Sequence, residues 1–113
     1  MRVPSVLCIA LFGAFTAPAH AASCESLASL SLPAAKIKSA ELVSAGAFAP
    51  LGGGQAGPYK SLPEFCRVAA TLTPSSDSNI KVEVWLPASG WNQKFQAVGN
   101  GGWAGVISYR TMA

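Results

Sequence analysis

The sequence predicts the strand-rich opening of an α/β fold, and three observations carry that expectation. An uncharged apolar leader precedes everything else. Two runs at 66–73 and 80–86 alternate with a period of two, as half-buried strands do. A further short apolar run, Phe95-Gln96-Ala97-Val98, empties directly into the glycine-rich stretch 99–105.

The leader has the order of a secretory signal. Arg2 supplies a positive start, and Val6 to Phe15 form an apolar run. Pro18 interrupts it, and Ala19-His20-Ala21 places small side chains at the two positions a signal peptidase inspects. A run of about ten residues is short of the roughly 20 that cross a bilayer, and it has no polar face that would suit a buried amphipathic helix. Residues 1–21 are therefore expected to be a signal peptide, with the rest of the 113-residue chain secreted or periplasmic and not membrane-bound after cleavage.

Cleavage after Ala21 removes His20, the one histidine of the chain. Without a histidine to activate a nucleophile, the remaining residues cannot by themselves run a serine- or cysteine-hydrolase reaction. Loss of Arg2 takes the eight Lys and Arg to seven against five Asp and Glu, a net charge of +2. These cations (Lys36, Lys38, Lys60, Arg67, Lys81, Lys94 and Arg110) are scattered singly. A nucleic-acid binder needs a clustered cationic footprint, so that class is excluded. The five acids read as solvated surface groups, with no close pair for general acid–base work.

Cys8 leaves with the leader, so Cys24 and Cys66 remain. In an oxidising compartment two cysteines ordinarily mean one disulfide. Closing a loop of about 40 residues is worth roughly 4 kcal/mol in the chain-entropy model. The other readings are a metal pair, for which no further ligands exist, a reactive thiol, or lipid attachment at Cys24. Ala21-Ala22-Ser23-Cys24 only loosely resembles a lipobox, because Ala21 stands where leucine is usual. A mature chain of about 90 residues is long enough for one small, marginal domain or for a piece of a larger one.

Along that chain, Leu27, Leu30 and Leu32 among serines and alanines suggest a helical turn or two ending at Pro33. Lys36 to Val43 alternates loosely, and its lysines suit an unpaired sheet edge. Residues 46–63, rich in glycine and proline, read as a surface loop without regular structure. The triplet Gly52-Gly53-Gly54 has neither a preceding strand nor a following Gly-Lys-Ser/Thr, so it is no phosphate cradle. Cys66 to Thr73 puts Cys66, Val68, Ala70 and Leu72 on one face, and Ile80 to Leu86 puts Ile80, Val82, Val84 and Leu86 on one face. The short turn between the two allows only an antiparallel hairpin. Phe95–Val98 is expected as a further strand, and Val106 to Ala113 as the opening of a helix that breaks off with the sequence.

A strand that empties into glycines leaves backbone N–H groups able to point at a ligand, since no Cβ blocks approach or forbids positive φ. Gly99-x-Gly101-x-x-Ala104 satisfies a dinucleotide pattern literally. That pattern should open a βαβ unit with an acid roughly 20 residues on, where this chain has ended. The alternative is an oxyanion hole: in α/β-hydrolases the loop after the third strand supplies one of its N–H groups. A plain glycine turn packed beneath Trp103 is the third reading.

Three ordered segments bear a closer likeness. They are Phe65-Cys66-Arg67-Val68 running into Ala70-Thr71-Leu72-Thr73-Pro74, then Ile80-Lys81-Val82-Glu83-Val84-Trp85-Leu86-Pro87, then Trp91 through Val98-Gly99-Asn100-Gly101-Gly102-Trp103-Ala104-Gly105. Together with Cys24-Glu25-Ser26-Leu27 and Ser39 to Val43, they resemble the tannase and feruloyl esterase family over nearly all of the mature chain. The resemblance implies the N-terminal strands of an α/β-hydrolase domain at 22–113, acting with a lid on small esters of aromatic acids, hydroxycinnamic or gallic-like, through a serine acyl-enzyme. It also implies a disulfide between Cys24 and Cys66. Gly101 or Gly102 would donate an oxyanion-hole N–H, and Trp103 would line the acyl pocket.

The serine elbow, acid and histidine of such enzymes lie further along, as does the lid with its calcium ion. This segment is thus expected to hold no cofactor and no metal, to need the remainder of the hydrolase domain, and to be inactive alone. Ser75, Ser76, Ser78, Ser89 and Ser108 sit in no nucleophile elbow. The rival from another class is a small exported β-rich binding or structural module, stapled by its disulfide and complete as it stands.

Overall fold

A computed structural model of the chain describes residues 22–50 and 57–113. The expected signal peptide at 1–21 and the triplet Gly52–Gly54 lie outside the described residues. Three strands, β1 (Ala35–Val43), β2 (Phe65–Leu72) and β3 (Ile80–Pro87), form one antiparallel sheet in the order β1-β2-β3. Leu72 pairs with Ile80 and Phe65 with Pro87, so the hairpin read from the period-two pattern is present with its turn at 73–79. Within that turn the Ser75 hydroxyl donates to Asp77 Oδ1 at 2.7 Å and the Ser78 amide to the Ser75 carbonyl at 3.1 Å.

β1 lies at a sheet edge, as its lysines suggest. Lys36 and Lys38 are exposed, and the pairing with β2 slips by one residue between Ile37 and Ser39. A bulge and charged side chains are what keep an edge from recruiting another strand. β2 is central and is buried on both faces from Phe65 to Val68. Ahead of β1, Glu25–Ser29 forms a 3-10 turn that packs on β1, close to the predicted helical turn. The last helix, α1 (Tyr109–Met112), begins three residues later than the sequence suggested.

The core sits on the sheet face that carries Phe65 and Trp85. Phe48, Tyr59 and Phe65 are its buried members, with Val43, Leu62, Trp85 and Tyr109 packed against them. Phe48 meets Tyr59 edge-on at 5.1 Å and Trp85 at 4.7 Å between ring centroids, within the range of favourable aromatic pairs. The 46–63 segment is thus more than a surface loop. Phe48 and Tyr59 come from it, and Gly57–Tyr59 forms a 3-10 turn. Alternation could not reveal this, because the two rings owe their burial to a fold-back onto strands distant in sequence. Gly46 makes the fold-back possible: its φ is +69°, and a Cβ there would lie 2.8 Å from the Lys60 carbonyl oxygen.

A second expectation is corrected. Phe95–Val98 is not a strand; it pairs with nothing among the described residues, and Phe95 is 83% exposed. An apolar run becomes a strand only when a neighbour accepts its N–H and C=O groups, and no described strand lies alongside. The opposite face is covered at Cys66 and Val68 of β2 but left open on its flanking strands, where Leu42, Ile80, Val84 and Leu86 are all exposed. With Trp91, Phe95 and Met112, the β3 residues Val82, Val84 and Leu86 border an apolar groove of about 650 Å³. Among the described residues, then, the α/β expectation is met only in its β part, as a small antiparallel sheet with short helices.

Candidate active site

The disulfide comes first because it fixes the start of the chain to the sheet. Cys24 precedes the 3-10 turn, Cys66 is the second residue of β2, and their Cα atoms are 5.6 Å apart in a bonded pair. Of the readings open at the two cysteines, the pairing between them is the one realised. The bond closes a separation of 42 residues and ties the first turn to the central strand.

Beside Cys66, on the opposite face of β2, stands Arg67. Cross-strand pairing sets it opposite Trp85 and, on the other side, opposite Glu41. Its Nε donates to Glu83 Oε2 at 2.9 Å and its Nη2 to Glu83 Oε1 at 2.6 Å, a bidentate fork-to-carboxylate pair. The Tyr109 hydroxyl donates to Glu83 Oε1 at 2.9 Å, and Trp85 Nε1 donates to Glu83 Oε2 at 3.1 Å. Arg67 Nη2 also reaches the Tyr109 oxygen at 3.3 Å. The guanidinium lies 5.3 Å from the centre of the Phe48 ring and 5.8 Å from that of Tyr109. Glu41 is a looser partner, 3.7 Å away with an exposed side chain.

Glu83 therefore departs from the expectation that all acids are solvated. Its side chain is only 5% exposed and that of Arg67 11%. In sequence Glu83 alternates with lysine and valine like any outward-facing charge. Its burial comes from rings contributed by residues 48 and 109, far away along the chain.

Burial of Glu83 works to raise its pKa, but hydrogen bonds from Arg67, Trp85 and Tyr109 together with the Arg67 charge outweigh it and hold the carboxyl below the usual range. Arg67 is raised, chiefly by its bond to Glu83, and the Tyr109 hydroxyl is raised, chiefly by burial and then by Glu83. A carboxyl whose folded pKa is depressed stabilises the fold fully above its unfolded pKa. That contribution is lost as pH falls through the folded value. The midpoint of urea unfolding should accordingly hold steady at neutral pH and drop below the ordinary glutamate range, and a Glu83→Gln chain should lack this acid limb.

The glycine turn predicted as an oxyanion donor lies beyond β3. Gly102 and Gly105 have φ of +57° and +60°, so the turn uses the backbone freedom of glycine at both. Gly101 and Gly102 are exposed, and the amides of Gly101, Gly102 and Trp103 bond to no backbone carbonyl among the described residues. Nothing lies within 4 Å of where a Cβ would stand on either glycine. Trp103 is fully exposed, with a relative area of 104%, and does not border the apolar groove. The turn is thus exposed, and the Trp103 indole does not pack over it. No cluster of three or more His, Cys, Asp or Glu residues that could hold a metal exists among the described residues. No helix among them is long and apolar enough to cross a membrane.

Comparison with known proteins gives concordant relatives. An uncharacterized esterase of Xanthomonas campestris is 45% identical over 105 residues, which is 92% of this chain and 18% of the relative. A probable feruloyl esterase B-1 of Aspergillus oryzae is 37% identical over 81% of the chain and 18% of its own length. Feruloyl esterase C of Talaromyces stipitatus is 44% identical over 46% of the chain and 10% of its own length. The chain thus spans less than a fifth of the length of the curated relatives it matches. No family model and no solved structure matches it.

Proposed function

Because this chain belongs to the tannase/feruloyl esterase family, we propose that it is the N-terminal part of a longer, exported carboxylic ester hydrolase. That enzyme cleaves esters of aromatic acids through a serine acyl-enzyme. The chain supplies the first strands of an α/β-hydrolase sheet and the glycine turn, and the rest of the polypeptide supplies serine, acid and histidine. In the reaction the serine oxygen adds to the ester carbonyl while its proton passes to the histidine. The amide of Gly101 or Gly102 donates to the oxyanion that forms, and collapse expels the alcohol with that proton. Water then repeats the addition and releases the aromatic acid. Trp103 lines the acyl side of the pocket. One donor of this kind is worth a factor of about 10² to 10³ in rate.

The observation that carries the reading is the state of the turn: exposed glycines, positive φ at Gly102, and amides that no backbone carbonyl engages among the described residues. The open aliphatic face of β3 supports the need for a larger domain and weighs against a self-contained binding module, which would cover it. A direct test compares this chain with the polypeptide extended through the downstream reading frame, using methyl ferulate as substrate. Turnover is expected from the extended protein alone. An extended frame that lacks a serine elbow, or hydrolysis by the short chain itself, would refute the assignment.

A further inference from the structure

We propose that Arg67, Glu83 and Tyr109 form a clasp whose task is to position the glycine turn, with Tyr109 as a positioning residue. The purpose assigned to the turn rests on the oxyanion reading above; the mechanical role does not.

The case begins with what holds the segment between β3 and α1. The Ala88 amide donates to the Glu64 carbonyl at 3.1 Å, and this is the last backbone bond to the sheet region. Among the described residues, the polar ties from Ser89 to Ser108 are local. Trp91 Nε1 donates to the Lys94 carbonyl, and the Lys94 amide donates to Asn92 Oδ1. Phe95 and Trp103 are highly exposed. A loop of this length with no fixed far end would sample many arrangements, and each ordered residue costs about 1–2 kcal/mol in backbone entropy.

Tyr109 supplies the far end. It lies four residues past Gly105, and its hydroxyl enters the Arg67–Glu83 pair with bonds of 2.9 and 3.3 Å. Its ring stacks on Trp85 at 6.1 Å with an interplanar angle of 13°, and meets Phe48 at 5.3 Å. The tether therefore reaches both β2, through Arg67, and β3, through Glu83 and Trp85. The same residue also starts α1, whose Met112 and Ala113 amides bond to the Ser108 and Tyr109 carbonyls. The buried ion pair is thus placed where it converts the rigidity of the sheet into a fixed exit from the turn.

The test reads order at the turn separately from order in the sheet. In the ¹⁵N-labelled chain, heteronuclear NOE values would be measured for Gly99, Gly101, Gly102 and Gly105 and for the amides of β2 and β3, in the parent chain and in Tyr109→Phe and Tyr109→Ala. The expected result is a fall at the glycines, modest for phenylalanine, which keeps the stacked ring, and large for alanine, with the sheet amides unchanged. Glycine values that stay the same in both variants would overturn the proposal. So would values that fall only together with those of the strands, since that would make Tyr109 a core residue and nothing more. Loss of ester turnover plays no part in this readout, so failure of the clasp and failure of the oxyanion reading are separable.

Discussion

Replacing Glu83 with alanine is expected to lower the unfolding free energy by about 3–5 kcal/mol, the usual cost of stranding one partner of a buried ion pair. Three donors lose their acceptor at once: the Arg67 guanidinium, the Tyr109 hydroxyl and the Trp85 indole N–H. Arg67, with a side chain 11% exposed, would keep only the looser, exposed Glu41 carboxylate 3.7 Å away. Urea unfolding followed by tryptophan fluorescence measures the loss. Removing Arg67 in the same chain should cost much less than a second full penalty, because the pair acts as a unit. Strictly additive single losses would mean that the two groups are stabilised independently of each other.

The second large effect is expected at the disulfide. Cys24→Ser with Cys66→Ser should lower stability by about 4 kcal/mol, by releasing a loop of the observed 42-residue separation into the unfolded ensemble. A small β-rich chain has little reserve against such a loss, since domains commonly have only about 5–15 kcal/mol in total. Comparing urea midpoints of the parent chain with and without reductant, alongside the double serine variant, measures it. The reduced parent and the variant should agree. The loss should also be largest in the region of the first turn and β2, where the bond attaches, which hydrogen exchange resolves strand by strand.

Much of the sheet was legible from local pattern. Period two marked β2 and β3, the short turn forced them antiparallel, and the lysines of β1 announced an edge. These features depend on residues within a few positions of one another. What local pattern could not show was which face would be dry. Ile80, Val82, Val84 and Leu86 form the more aliphatic face, yet the described core lies on the other, among Phe65, Arg67, Glu83 and Trp85. That choice was made by Phe48, Tyr59 and Tyr109, which arrive from a loop and from beyond the glycine turn. The same long-range packing turned Glu83 from an apparent surface acid into the centre of a buried network. Phe95–Val98 erred in the opposite sense: its composition suits a strand, but pairing needs a neighbour that no local signal reports.

For the site, the glycine turn was visible because glycine spacing is a local feature tied to backbone freedom. The residues that hold its far end were not. Nothing in the neighbourhood of Tyr109 distinguishes it from an ordinary helix-start tyrosine, and its importance emerges only when Arg67 and Glu83 are brought to it by the sheet. A searchable signal would have been the parity of Arg67, Glu83 and Trp85, which antiparallel pairing necessarily sets on one face.

The most direct measurement is the structure of the extended esterase after its serine has reacted with a fluorophosphonate, whose P–O⁻ stands where the oxyanion would. That oxygen is expected about 2.7–3.1 Å from the amide nitrogen of Gly101 or Gly102. An oxygen held by other donors, with both glycine amides turned away and bonded to protein carbonyls, would contradict the function proposed for this chain.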